Sequence, residues 1–550
     1  MEENDSNTSQ NPELSSRVFI NKKPYFAKLS NETLSWCKCE TSATKKDHFH
    51  HCHVLKLKRV LAIVPNVKQE TGVHPNDIEL NTISPVNHYR SFHLHIVIKK
   101  GNHKWQHRKV LFECPSVDVG SKWFSRIQDI LTDFKRPKKL LIFVNPYGGK
   151  KQAPKIFRNK VEPLFHLAKI DMEVVETTRA DHAKDFITSE PDLTEYDGII
   201  SVGGDGMFSE ILNGILMRKN KHASSSTEFN PEKPEIKLGI IPAGSTDCVC
   251  YCTTGCIDAV TSALQIITGE DQPLDISSIH SGSELLRYSV SFAGYGFFGD
   301  VMKDSEKLRW AGVKRYDISG AKIFLANRFY EGELSYLISS DAQGHPQDKN
   351  KCRTGCSVCF PPQNPSFGKL VPEETSGWHS ITGRFISVMG ATNCCANKKS
   401  PEGISPSAHL ADGCIDLVVV RHTSRVRYLH HMIRLAGRAD HMDFDFVEVH
   451  RVKEFSFRPV SSAVSEDDES ETGASSSRQE CGGELTRRTQ RTQRRGKERS
   501  QSRHSVWNVD GEIIDEPAIH VRVHRQLVTL FAYGIEECEK MATCSVCRTS

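Results

Sequence analysis

The chain lacks any apolar run near the about 20 residues that a transmembrane helix needs. Its first residues, MEENDSNTSQ, are polar and acidic, so neither a signal peptide nor a mitochondrial presequence is expected there. Glu2 stands where N-myristoylation requires glycine. Net charge is also scarce. A formal excess of +4 excludes a molecule that binds polyanions over its whole surface, and no nucleic-acid partner is expected. A soluble cytoplasmic protein that meets any lipid from the membrane surface is the expectation. Cysteine is not scarce, with 18 in 550 residues. A chain this long without an export signal reads as holding mostly reduced thiols. The same length predicts two or three domains with sizeable cores.

What is present is a set of glycine-rich turns. GGDGMFSE, Gly203 to Glu210, follows the apolar run YDGIISV and precedes Ile211, Leu212, Ile215 and Leu216 at helical spacing. A glycine turn between strand and helix leaves N–H groups for phosphate oxygens, and the helix N-terminus adds partial positive charge. Asp205 inside that turn would sit beside the phosphates. Two further strands end in similar turns: LLIFVNPYGGKK, Leu140 to Lys151, and KLGIIPAGSTDC, Lys237 to Cys248. Three such strands match an open α/β sheet that binds its ligand at the strand carboxyl ends.

NPYGGKK, GGDGMFSE and IPAGSTD together resemble the signature loops of the lipid-kinase superfamily that includes diacylglycerol, sphingosine and ceramide kinases. CRTGCSVC, with Cys352, Cys356 and Cys359, and GYGFFGDVMKDSEKLRW, Gly294 to Trp310, place the resemblance in the ceramide-kinase branch. Met207 replaces the threonine usual in diacylglycerol kinases, and GSTD at 244–247 loses their asparagine; both changes disfavour a generic diacylglycerol kinase.

The expected organisation is multidomain. Residues 15–134 read as a β-rich module closed by the amphipathic helix SKWFSRIQDILTDF, which resembles a pleckstrin-homology domain. Lys22, Lys23 and Lys28 would form its basic mouth for anionic phosphoinositides; an ordinary solvated face fits them equally. Residues 135–270 alternate strand and helix as a doubly wound α/β nucleotide-binding domain, with Pro163 expected to kink its first helix. Residues 271–550 are largely β, with helices near 304–326 and 424–438, and the resemblance implies a β-sandwich with the active site in a cleft beside the α/β domain. The Ser-, Glu- and Arg-rich insert 461–503 is too polar to bury a core and is expected to be disordered.

The resemblance implies ATP as co-substrate and Mg2+ bridging its phosphates. For ATP it implies Asn145, Pro146, Tyr147, Gly148 and Gly149, then Thr177 or Thr178, Glu210, Gly244, Ser245, Arg309, Arg315 and the triplet Asp510, Gly511, Glu512. Asp205 is the implied base for the lipid hydroxyl. Gly203, Gly204, Gly206 and Asp300 are implied at the acceptor. A solvated helix face remains open for the two arginines, and a core or loop role for Asp300.

Three thiols at C-x3-C-x2-C spacing fit zinc only with a fourth ligand, for which Cys394, Cys395 and His379 are candidates; buried reduced thiols are the alternative. HFHHCH at 48–53 fits no standard metal spacing, and Cys544 and Cys547 carry no assignment. Val419, Val426 and Met432 sit at 1-8-14 spacing in a basic stretch ending at Arg438, which suits calcium-dependent calmodulin or an anionic membrane; packing on a core is the common alternative. The reading is an enzyme that phosphorylates the primary hydroxyl of ceramide, peripheral on Golgi or plasma membranes by resemblance. A sphingosine kinase, a catalytically inactive lipid-binding adaptor and, remotely, an NAD kinase are the rivals.

Overall fold

The structure is a computed structural model that describes residues 13–38, 52–66, 89–190, 192–220, 226–312, 314–339, 342–361, 377–437, 440–460 and 504–537. The 461–503 insert and Cys544 and Cys547 lie outside them. The chain divides into two compact units: Met1–Ile215 with Pro234–Gln272 and Thr529–Ser550, and Leu216–Lys233 with Pro273–Val528.

The first unit opens with seven antiparallel strands: β1 Leu14–Ile20, β2 Lys23–Ser30, β3 Thr33–Lys38, β4 His53–Lys56, β5 Val60–Pro65, β6 Ser91–Lys99 and β7 Trp105–Glu113. They run in the order β4-β3-β2-β1-β7-β6-β5. Helix α1, Val117–Asp133, begins at Ser116, whose hydroxyl accepts the Val119 N–H. It buries Trp123, Phe124, Ile127 and Ile130 against Trp36, Phe92 and Phe112 of the sheet. The runs VFINKKPYFAKL and HCHVLKLKRVLAIV, whose apolar alternation reads as one strand each, are both broken. Asn21 and Lys22 adopt positive φ in a two-residue hairpin turn between β1 and β2. A 3-10 turn, Leu57–Arg59, separates β4 from β5. Cys37 and Cys52 form a disulfide across β3 and the start of β4, so one pair departs from the reduced state expected.

Four parallel strands follow: β8 Lys139–Val144, β9 Asp171–Glu176, β10 Gly198–Gly203 and β11 Lys237–Pro242, ordered β9-β8-β10-β11. β8 and β10 are apolar and buried on both faces, as a sheet covered by helices requires. The helices are α2 Ala153–Ile156, α3 Glu162–Leu167, α4 His182–Ser189, α5 Asp205–Lys219, α6 Cys248–Thr254 and α7 Ala259–Thr268. Between α2 and α3 lies a π-wound turn, Phe157–Val161, immediately ahead of Pro163. Proline cannot donate to the carbonyl four residues back, and the Glu162 N–H reaches the Phe157 carbonyl, a wider turn that relieves the conflict. The N-terminal strands share a core with this sheet. Leu61, Val97 and Trp105 pack with Ala259, Ala263 and Leu264, and the Trp105 N–H donates to Thr261 Oγ1 at 3.0 Å.

The second unit is sheet-rich. Its strands are β12 Asp271–Ser281, β13 Glu284–Ser289, β14 Phe292–Gly296, β15 Tyr330–Ile338, β16 Trp378–Ala391, β17 Ile415–Arg421, β18 Val447–Pro459, β19 Trp507–Val509, β20 Glu512–Ile514 and β21 Ile519–Phe531. The long strands β16 and β18 each pair with β15 along one stretch and with β17 along the other. Tyr295, Leu334, Phe385, Val388, Phe455, Phe457 and Trp507 fill the core. Among the described residues, three α-helices interrupt the strands: α8 Phe297–Glu306, α9 Lys314–Ala326 and α10 Arg425–Gly437. α8 starts seven residues earlier than the sequence reading placed it, because Gly296 at φ +79° turns the chain directly out of β14.

Candidate active site

Three loops leave the carboxyl ends of β8, β10 and β11 in mutual contact. Asn145 ends β8; its N–H donates to the Val202 carbonyl at 3.0 Å. Its side-chain oxygen accepts the N–H groups of Tyr147 at 2.9 Å and Gly148 at 3.0 Å, which curls the loop. Gly149 sits at φ +56°, and a Cβ there would lie 2.8 Å from the Ala243 carbonyl oxygen. A Cβ on Gly244 would lie 2.5 Å from the Gly204 Cα. Gly149, Gly204 and Gly244 are thus required by backbone-to-backbone approach. Gly206 differs, since its Cβ position has no protein atom within 4 Å. Gly206 is exposed, and that space is open.

Asp205 begins α5, and its side chain caps a different helix. Oδ2 accepts the Cys248 N–H and Oδ1 the Val249 N–H, each at 3.0 Å, at the start of α6. Asp247, the residue at the α6 cap position, is in the left-handed region and turns back to accept the Gly244 N–H at 2.9 Å. Burial pushes the Asp205 carboxyl up to about 7; the Cys248 thiol adds to the rise and the two N–H bonds oppose it. A carboxylate poised near neutrality suits proton abstraction. Glu210 lies half-buried further along α5. Thr177 is buried and its hydroxyl turns toward the Val144 carbonyl, whereas Thr178 is exposed and its N–H donates to His182 Nδ1 at 3.2 Å. Pro146 is half-buried, and Tyr147 and Ser245 are exposed on their loops.

The remaining expected residues belong to the second unit. Asp300, on α8, is buried and accepts the Tyr330 hydroxyl at 2.5 Å and the Ser505 hydroxyl at 2.7 Å. Burial raises its carboxyl above the usual range, against those two bonds. Arg309 and Arg315 converge on Glu306; Arg309 Nε lies 2.6 Å and Arg315 Nη1 3.0 Å from its oxygens. Asp510 accepts three backbone N–H groups, of Val290, Ser291 and Phe292, at 2.8–3.0 Å. Gly511 turns at φ +93°, and Glu512 pairs with Arg287. Sequence reasoning missed Asp247, Glu306, Tyr330 and Ser505. Only Asp247 carried a local signal, as the acid of the third glycine loop.

Residues 14–127 match the ceramide kinase PH domain family, 139–279 the diacylglycerol kinase catalytic domain family and 291–547 the ceramide kinase C-terminal domain family. Human ceramide kinase is 40% identical over 489 residues, covering 85% of this chain and 87% of its own length. Mouse ceramide kinase is 42% identical over 463 residues, covering 81% and 84%. The ceramide kinase of Arabidopsis thaliana is 31% identical over 521 residues, covering 78% and 79%. The chain belongs to the ceramide kinase family.

Membership in a kinase family implies ATP with a divalent metal, and the loops fit the phosphates. The first turn of α5 has N–H groups without intrahelical acceptors, beside glycines and the exposed Lys150 and Lys151. Asp205 already accepts backbone N–H groups on both oxygens, so a metal beside these loops would rest chiefly on phosphate oxygens and water.

Two further expectations need correction. Val419 lies inside β17 and is fully buried, so it shares no helical face with Val426 and Met432. The 1-8-14 spacing therefore crosses a strand-to-helix boundary. Instead α10 exposes Val426, Leu429 and Ile433 while burying Tyr428, His431 and Leu435. The fourth member of the cysteine group is His409, not Cys394, Cys395 or His379. Of HFHHCH, only Cys52, in the disulfide, and His53, in β4, are among the described residues. Lys28 pairs with Glu13 at 2.8 Å, leaving Lys22 and Lys23 at the β1–β2 hairpin as the basic pair of that group.

Proposed function

We propose that this chain is an ATP-dependent ceramide kinase, transferring the γ-phosphate to the primary hydroxyl of ceramide to give ceramide 1-phosphate and ADP. One observation carries the reading: Asp205, pushed up to about 7, stands where three glycine loops meet at the carboxyl edge of a parallel sheet. Phosphoryl transfer asks a protein for positioning and charge neutralisation. Asp205 orients the lipid hydroxyl and takes its proton. Two backbone N–H groups hold that carboxylate in place. The glycine loops seat the phosphates through backbone groups, with Lys150 and Lys151 supplying positive charge. Magnesium, when bound to the phosphates, neutralises part of their charge. Asp300, held by Tyr330 and Ser505, is proposed to receive the polar head of the acceptor.

Access to ceramide is proposed to be from a membrane surface, with Lys22 and Lys23 facing anionic phosphoinositides on Golgi or plasma membranes. The α10 face, with Arg425 beside Val426, Leu429 and Ile433, suits an anionic membrane surface better than calmodulin, whose anchor spacing it lacks.

The test is a panel of ceramide, sphingosine and diacylglycerol with labelled ATP and Mg2+. Ceramide should be the preferred acceptor. Preference for sphingosine would move the substrate class, and no turnover of any lipid would leave a membrane adaptor.

A further inference from the structure

The second unit contains two long segments with neither helix nor strand, residues 342–361 and 392–414. Loops of that length need something to hold them. The first carries Cys352, Cys356 and Cys359; the second carries His409. One ligand atom from each of the four lies within 4.8 Å of the others. Cys352 Sγ and Cys359 Sγ are 3.7 Å apart, and Cys356 Sγ is 3.2 Å from His409 Nδ1. A tetrahedron with bonds of about 2.3 Å to sulfur and about 2.0 Å to nitrogen has edges of roughly 3.5–3.8 Å. A disulfide would need about 2.05 Å between sulfurs. The thiols are therefore spaced for an ion among them rather than for a bond between them.

We infer that Cys352, Cys356, Cys359 and His409 bind a structural zinc ion. The donor set chooses the metal: three thiolates and one imidazole, with no carboxylate, suit zinc over magnesium or calcium. Four protein ligands leave no open position, so the site is structural. Cys359 and His409 are each 1% exposed, and Cys352 and Cys356 are half-buried. Loading the site displaces the thiol protons to solvent. The Cys356 N–H donates to the Arg353 carbonyl and the Phe360 N–H to the Cys356 carbonyl, both at 3.0 Å, which winds the three cysteines into tight turns.

The site has a mechanical consequence. The Cys359 carbonyl accepts Arg525 Nη2 at 3.0 Å, and Gln526 Nε2 donates to the Ala411 carbonyl at 3.1 Å. Asp275 of β12 ties both partners together, accepting the Gly413 N–H at 2.6 Å and the Gln526 N–H at 2.7 Å. The ion thus fastens two irregular segments to each other and, through them, to β12 and β21.

Metal analysis of the purified full-length chain should find about one zinc per molecule. His409→Ala and Cys359→Ser should lose it, and His409→Cys should keep it as a four-thiolate site. Cobalt substitution of the wild-type chain should give visible ligand-field bands of a tetrahedral site and near-ultraviolet thiolate charge transfer. Chelation should lower the melting temperature by at least about 4 °C. Asp205→Asn should retain full zinc, which separates this site from the kinase reading. A wild-type chain that is folded and metal-free overturns the proposal, whether its three thiols are freely reactive or Cys352 and Cys359 are joined as a disulfide. Zinc retained by His409→Ala at wild-type stoichiometry overturns it too.

Discussion

The Asp205 carboxylate accepts the backbone N–H of Cys248 at 3.0 Å, so the residue proposed to take a proton from the lipid also closes the N-terminus of a neighbouring helix. Two roles fall on one side chain, and substitutions can separate them. Asp205→Asn keeps the shape and one acceptor oxygen but cannot take a proton. Turnover of ceramide should fall by about 10²–10⁴-fold. The melting temperature should fall modestly, because the amide leaves one of the two α6 N–H groups facing an NH2 donor. Full turnover of ceramide by the folded variant would assign Asp205 to the capping role alone.

The same group sets a pH dependence. Its folded pKa, about 7, lies above its ordinary value of 3.8. The base works ionised, so kcat/KM should climb as pH rises through about 7 and fall away below it. Stability runs the other way. The folded chain holds this proton more tightly than the unfolded chain, so the group's contribution is fully present below about 3.8 and is lost as pH rises through about 7. A kcat/KM profile flat from pH 5.5 to 8.5 would exclude Asp205 as the base.

Gly206 and Gly244 lie close in the loops and should respond differently. Gly244→Ala sets a Cβ 2.5 Å from the Gly204 Cα, so backbone must move, and both stability and KM for ATP should suffer. Gly206→Ala meets no protein atom within 4 Å and sits in the first turn of α5, where alanine favours helix by about 0.5–1 kcal/mol. Stability should hold while kcat/KM drops, because the new methyl enters the open space proposed for ligand. Thermal melts and initial rates on both variants would show whether that space is used.

Val426 and Ile433 are 78% and 59% exposed on α10. Aspartate at both positions should weaken binding to anionic vesicles by about tenfold or more, because two apolar contacts become two charges facing a negative surface. Turnover of a soluble short-chain ceramide should be unchanged. Equal vesicle binding by the double variant and the parent would remove α10 from the membrane contact.

Much of the α/β architecture was legible because its signals are local. Apolar runs such as LLIFV and GIISV are long enough to define buried strands, and a glycine after each one marks a turn no other residue makes cheaply. Boundaries failed where two elements share one hydrophobic pattern. The run through Asn21 and Lys22 alternates as one strand, yet both residues turn at positive φ. Val419 and Val426 match a helical spacing, but the chain leaves β17 between them.

By itself the sequence determined the strand–glycine–helix grammar, the acid within it and the three cysteines, since each depends on neighbours in the chain. Only the tertiary structure decided that Asp205 caps α6, that Glu306 gathers Arg309 and Arg315, and that His409, 50 residues past Cys359 in the sequence, completes the thiol group. The physical reason is the range of the interactions. Helical and strand periodicity report which faces are buried, but a hydrogen bond, an ion pair or a ligand contact needs two atoms brought within about 3–4 Å by packing. No pattern along the chain specifies which distant residue will arrive there.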